Sequence, residues 1–207
     1  MATTQRTPGT GESTLQHVVT SVLYTVVTVV ALGLIYPLVV WGLGTVLFHH
    51  QAGGSLIVDK SGKVIGSELV GQNWTKPRYF QGRPSAAGKG YDPTSTGGTN
   101  LGPSSKKLID STKSAIAALK KANPDATAPI PMDLVTSSAS GIDPDVSPEG
   151  AYYQVPRVAK ARGMTAAAVR VLVTVHVVQR QFGLLGEPHV NVLELNRALD
   201  AQGAASK

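Results

Sequence analysis

The chain has 207 residues, no cysteine and a formal charge of +6. That length holds a membrane anchor and one domain of ordinary size but not a protein of many spans, and a cysteine-free chain has neither a disulfide framework nor a thiolate metal site. The basic surplus suits anionic partners, yet it is spread along the chain with aromatics at 5% and no helix-turn-helix, zinc-finger or aromatic RNA-binding pattern, which argues against nucleic acid.

From Val18 to Phe48 there is no charged residue. A helix of about 31 residues would be roughly 46 Å long, more than a hydrocarbon core of roughly 30 Å needs, so it should tilt, kink or extend past the bilayer. Tyr36-Pro37 is the expected kink, since proline removes one backbone donor and presses on the preceding turn. The run is too long for the apolar core of a cleaved signal peptide and reads as an uncleaved anchor. The predicted organisation is therefore a short tail at 1–14, a transmembrane helix at 15–50 and a soluble domain at 51–207. Gly33, Pro37, Trp41 and Gly44 recur at spacings of four, four and three, a face where a partner helix could approach closely. Gly and Pro are also common in membrane helices for their own sake, and both readings stand. Arg6 before the span and Lys60 and Lys63 after it slightly favour a cytoplasmic domain, but long domains translocate largely regardless of such counts, so the topology stays open.

Two short β-prone runs, 55–58 and 63–66, flank Lys60-Ser61-Gly62 and predict a hairpin. Asp59-Lys60-Ser61-Gly62 differs at one position from the Asp-Lys-Thr-Gly of P-type ion pumps, whose aspartate is phosphorylated. Phosphoryl transfer needs a magnesium site and a nucleotide-presenting domain, and with no companion motif in the chain Asp59 reads as a turn residue. The stretch from Gln72 to Pro103 is too rich in Gly and Pro for a helix, while Trp74, Tyr79, Phe80 and Tyr91 supply apolar surface to pack it as an ordered loop. Within it, 82–90 fails as a phosphate-binding P-loop: Gly88-Lys89 follows Gly82 one residue late, and Gly90 replaces the magnesium-binding hydroxyl. Thr96-Gly97-Gly98-Thr99-Asn100 would let backbone amides approach a phosphate, although paired glycines more often serve turn geometry.

Ser104 or Ser105 caps a helix reaching about Ala122, with Leu108, Ile109, Thr112, Ala115, Ile116 and Leu119 on one face and lysines on the other. Pro124 ends it. A short strand is expected from Ile130, then a turn-rich loop, and Ser147-Pro148-Glu149 opens a helix that bends or restarts at Pro156 and closes at Gly163. Ser138 and Ser140 beside Asp143 and Asp145 raise a membrane-tethered serine hydrolase, but no Gly-x-Ser-x-Gly is present and no histidine follows nearby. Thr165 caps a strongly apolar helix running on to Phe182, too short to span a membrane and therefore a buried helix or a partner surface, with His176 on its apolar face beside Val169, Leu172, Val173 and Val177. Asn191 to Glu194 fits a capping pattern for a closing helix to about Ala201. The five histidines, His17, His49, His50, His176 and His189, show no zinc spacing, so no metal centre is expected.

The motifs GSLIVDKSGKVIGSELVGQNW, YFQGRPSAAGKGYDPTSTGGTNLGPSSKKL, SSASGIDPDVSPEGAYYQVPRVAKARG and FGLLGEPHVNVLELNRALD, together with the N-terminal span, resemble the C subunit of the Kdp-type potassium-transporting ATPase, KdpC. The resemblance covers nearly the whole chain. It implies one N-terminal transmembrane helix and an α/β (α+β) soluble domain, in an accessory, non-catalytic subunit of an ATP-driven potassium uptake complex in the bacterial inner membrane. Its partners would be a channel-like subunit, a P-type ATP-hydrolysing subunit and membrane lipid. The family is described as a catalytic chaperone that raises ATP affinity of the hydrolytic subunit, with its domain on the extracytoplasmic side. A domain outside could act on ATP only by coupling through its span. The alternative is a direct nucleotide-binding module, for which Gly97, Gly98 and Asn100 are the candidate ATP contacts. The chain departs from the family pattern in two ways: Thr174, Val175, Val177 and Val178 are less polar than usual, and His189 stands where Arg is usual.

Overall fold

The computed structural model describes residues 13–59 and 61–205; Arg6 and Lys60, which entered the topology argument, and most of the predicted tail lie outside them. The chain divides into two compact units, one ending at Gly54 and one beginning at Ser55.

The first unit is one continuous helical run, Thr14–Leu47, followed by a short turn. Ser13 caps it reciprocally with Gln16: the Gln16 amide donates to Ser13 Oγ, and the Ser13 amide to Gln16 Oε1. The run comprises α1 (Thr14–Thr28), a π-helical stretch (Val29–Ile35) and α2 (Tyr36–Leu47). The π stretch ends where the proline begins. Pro37 sits in the first turn of α2, and the Tyr36 amide reaches five residues back to Ala31, so widened turns absorb the proline in place of a broken ladder. Thr25, Thr28 and Thr45 return their hydroxyls to the carbonyls of Ser21, Tyr24 and Trp41, so these three polar groups are satisfied within an apolar run. A single turn, α3 (His49–Ala52), follows.

In the second unit the expected hairpin is present: β1 (Leu56–Val58) pairs antiparallel with β2 (Val64–Ser67), with a register shift between Ile57 and Val58. Asp59 ties the turn by accepting from the Ser61 amide and hydroxyl and from the Lys63 amide, while Gly62 takes φ +82. After the long loop come α4 (Lys106–Ala122), β3 (Asp145–Val146), α5 (Pro148–Arg162), α6 (Ala166–Val175), β4 (Val177–Val178), β5 (His189–Asn191) and α7 (Val192–Ala205). β5 is the centre of a three-stranded antiparallel sheet, with Val146 and Val177 both opposite Val190.

α5 is the hub. Ser147 caps it, Pro148 occupies its first turn, and Gly163 closes it at φ +65. Its buried Ala151, Tyr153, Val155, Val158 and Ala159 meet Val169 and Val173 of α6, Leu195 and Leu199 of α7, Val190 and Phe80 in one core. Pro156 lies inside α5 without ending it. α7 starts as expected, the Glu194 amide donating to Asn191 Oδ1, and runs past Ala201.

Two expected elements differ. The strand expected from Ile130 is a 3₁₀ turn, Met132–Leu134. Pro129 and Pro131 deprive that run of ladder donors, and the Thr136 hydroxyl folds back on the Met132 carbonyl. The helix expected to reach Phe182 stops at Val175. The His176 amide and Nδ1 both turn back to the Leu172 carbonyl, and the β-branched Val177 and Val178 join the sheet.

Candidate functional site

The long loop is held as part of the core by side chains of the helices. Asn196 of α7 accepts from the Phe80 amide at 2.8 Å and donates to the Phe80 carbonyl at 2.9 Å. Gln154 of α5 does the same for Gln81, at 2.8 and 3.0 Å. Each carboxamide thus completes the backbone of one loop residue as a neighbouring strand would. Arg157, one turn on, donates to the carbonyls of Pro77 and Tyr79, to Asn123 Oδ1 and to Gln154 Oε1. Burial pulls its guanidinium down to about 10, still far above neutral pH, so a buried charge rests on four oxygen acceptors.

The second half of the loop is fastened by a different set. Arg83 pairs with Asp143 at 3.0 Å, and the Tyr91 hydroxyl donates to the Arg83 carbonyl at 2.6 Å. Burial, with Asp143 nearby, pushes the Tyr91 phenol up to about 12. Gly71 and Gly82 both lie against the Tyr91 ring, where an added Cβ would come within 2.5 Å, so this packing requires glycine at both positions. On the outer side, Arg162 donates to the carbonyls of Arg78 and Leu199 and to Asp200, which also accepts from the Tyr79 hydroxyl.

A cavity of about 550 Å³ opens between this loop and α4, with Trp74, Arg83, Lys89 and Tyr91 on one side and Ala115, Leu119 and Ala122 on the other. The Trp74 Nε1 is buried there without a hydrogen-bond partner. No residue of α4 is fully buried.

The predicted ATP contacts lie farther along. The Gly97 amide donates to the Ser140 carbonyl at 2.8 Å, and Gly98 passes so close to Ala139 that a Cβ would stand 3.1 Å from its carbonyl oxygen. Asn100 takes φ +50. Gly98 lets two loops lie against each other, and the Gly97 amide is already used inside the protein. Of the hydrolase candidates, Ser138 is buried and accepts from the Gly141 amide, His176 turns to its own helix, and Asp143 pairs with Arg83. Among the described residues no hydrogen bond joins these serines to a histidine. His189 places Nε2 3.9 Å from Asp145 Oδ2, and Asp145 is raised by burial against the opposing pull of that histidine. No group of three or more potential metal ligands occurs among the described residues. In the first unit, Gly33, Pro37 and Trp41 are exposed and Gly44 is half-buried, with open space where a Cβ at Gly44 would be.

Sequence reasoning did not single out Gln154, Asn196 or Arg157. Each stands three or four residues from buried apolar residues of its own helix, Gln154 from Ala151 and Val158, Arg157 from Tyr153, and Asn196 from Val192 and Leu199, and that spacing is the signal a buried polar side chain leaves in a sequence.

Residues 18–201 match the model of the KdpC family, described as K+-transporting ATPase, c chain. The chain is 53% identical over 186 residues to the potassium-transporting ATPase KdpC subunit of Koribacter versatilis, covering 89% of this chain and 94% of that protein. It is 52% identical over 186 residues to that of Acidobacterium capsulatum, covering 90% and 98%, and 54% identical over 181 residues to that of Rhodopseudomonas palustris, covering 82% and 89%. With the match running from within the apolar helix into α7, this chain belongs to the KdpC family.

Proposed function

We propose that this chain is an accessory, non-catalytic subunit of an ATP-driven potassium uptake complex, needed for its assembly. The observation that carries the reading is the family match over 18–201, which includes both the apolar helix and the soluble domain. The helix lies in the bacterial inner membrane among lipid and docks on helices of the channel-like and P-type subunits by the face bearing Gly33, Pro37, Trp41 and Gly44. The domain stands on the extracytoplasmic side. It raises the ATP affinity of the hydrolytic subunit through its span, as a coupling between sites. The Gly97 amide, already donated to Ser140, favours this indirect route over ATP contact at Gly97, Gly98 and Asn100.

Protease treatment of intact spheroplasts, with the tagged chain then purified, tests the reading. Digestion of the domain from outside and co-purification of two larger membrane proteins are expected. A domain protected in spheroplasts and cut only after lysis would overturn the topology, and a chain that purifies alone would overturn the assembly role. For direct ATP contact, a rise in melting temperature of the purified full chain with millimolar ATP is the sign to look for; no shift leaves the coupled route.

A further inference from the structure

The segment 171–185 presents apolar side chains outward. Val171, Val175 and Val178 are exposed, Phe182 is 89% exposed, and Leu184 is 77% exposed. Isolated apolar residues on a surface need no explanation, but a run of this kind at a rigid tip does. The tip is rigid by its own bonding: the Gln181 amide donates to the Leu185 carbonyl and the Leu185 amide to the Gln181 carbonyl, both at 2.9 Å. Below it, Arg180 pairs with Glu187. Phe182 itself takes φ +55, a conformation that costs a non-glycine residue roughly 1 kcal/mol or more, between Arg180 and Gly183 at φ +71. Phe182 and Gly183 are the two left-handed residues of a turn closed by the Leu184 amide on the Gln181 carbonyl, and the phenyl ring stands in solvent.

Charge separates the candidate occupants. Between Val171 and Glu187 the only charged side chains are Arg180 and Glu187, which neutralise each other. Arg170, just before, is laid over the Tyr152 ring at 5.0 Å. The basic surplus is displayed elsewhere: Lys106, Lys107, Lys113, Lys120 and Lys121 of α4 are exposed, and none pairs with a described carboxylate. Anionic headgroups would draw the lysine face and offer nothing specific to a neutral wedge. A rigid, uncharged aromatic tip suits a shaped apolar cleft on a protein, because its ordering cost is already met before binding. A neutral contact also suits a partner that conducts a cation, since it places no positive charge at the junction.

We infer that the exposed Phe182–Leu185 tip is the wedge by which this domain docks in an apolar cleft on the extramembrane surface of another subunit of the same complex. This rests on the accessory-subunit reading above.

Because the chain has no cysteine, a single label can be placed anywhere. Full-length Phe182→Cys and Leu184→Cys variants, with Lys113→Cys on α4 as the control, would carry an environment-sensitive fluorophore and be read by iodide quenching. Each is measured alone in anionic lipid nanodiscs and again in the assembled complex. Assembly of the unlabelled chain is established first; if it does not assemble, the accessory-subunit reading fails and the wedge with it. Expected is a threefold or greater fall in quenching at 182 and 184 on assembly and little change at 113. Labels at 182 and 184 that block assembly, while the label at 113 does not, also place the tip in the interface. Equal quenching before and after assembly overturns the wedge alone. Quenching already lost in lipid without partners overturns it in favour of the bilayer.

Discussion

The loop between Gln72 and Pro103 and the segment between Ala166 and Leu185 invert their usual roles. The loop has no regular structure, yet its Phe80 is fully buried and its backbone is completed by Gln154, Asn196 and Arg157. The helix and strand of the later segment are regular, yet their outer side and the following tip leave valine, phenylalanine and leucine exposed. Regularity of backbone and membership of the core are separate properties. The first is set by local hydrogen bonding, the second by which side chains find partners.

Arg157→Ala should test the loop half of that contrast most severely. It strips the Pro77 and Tyr79 carbonyls, Asn123 Oδ1 and Gln154 Oε1 of one shared donor, and a loss of about 3 to 5 kcal/mol in urea unfolding is expected. A loss below about 1 kcal/mol would mean that the loop is not held as core.

Tyr91→Phe should cost about 1 kcal/mol through the lost bond to the Arg83 carbonyl. Its pH dependence is more telling. The folded phenol titrates near 12 against an ordinary 10.0, so the folded state binds more protons in that window, and the stability it contributes is full below pH 10.0 and lost as pH rises towards 12. Melting curves across this range should fall less steeply for the variant than for the parent. Parallel curves would remove Tyr91 as a fastener.

Phe182→Ser should leave unfolding within about 0.5 kcal/mol of the parent, as at other exposed sites. A loss of 2 kcal/mol would return the tip to the fold and take it from the partner.

The smallest effect is expected from Asp59→Asn, for which ATPase cycling of the complex should be intact. The exposed Asp59 carboxylate is held below its ordinary value first by the Ser61 hydroxyl and then by the Lys63 and Ser61 amides. Whatever it adds to stability is present above pH 3.8 and lost as pH falls through the lower folded value. A phosphoenzyme formed on this chain would contradict its role as a turn residue.

Much of this fold was legible because local rules wrote it. The charge-free run is read from composition alone, and the turn tied by Asp59, Ser147-Pro148 and Gly163 at the ends of α5, and Asn191 before α7 all act within four residues. Phe80 and Tyr91 promised an ordered loop and delivered one. What was not legible depended on distance: nothing near Gln154 says that its amide meets Gln81, 73 residues earlier. The valines from Val173 to Val178 suited helix and strand alike, and pairing of β4 with β5 decided between them. The glycines at 97 and 98 were visible, but that the carbonyl of Ser140 takes the Gly97 amide was not.

Hydrogen exchange of the full chain, alone and in the assembled complex, bears on both regions at once. Amides of Phe80, Gln81 and Tyr91 should be protected already in the chain alone and change little, while those of Phe182 and Gly186, which take no part in the backbone bonds that close the tip, gain protection only when the partner subunits are present. A loop that exchanges freely until assembly, with a tip indifferent to it, would show that the two regions have been assigned the wrong way round.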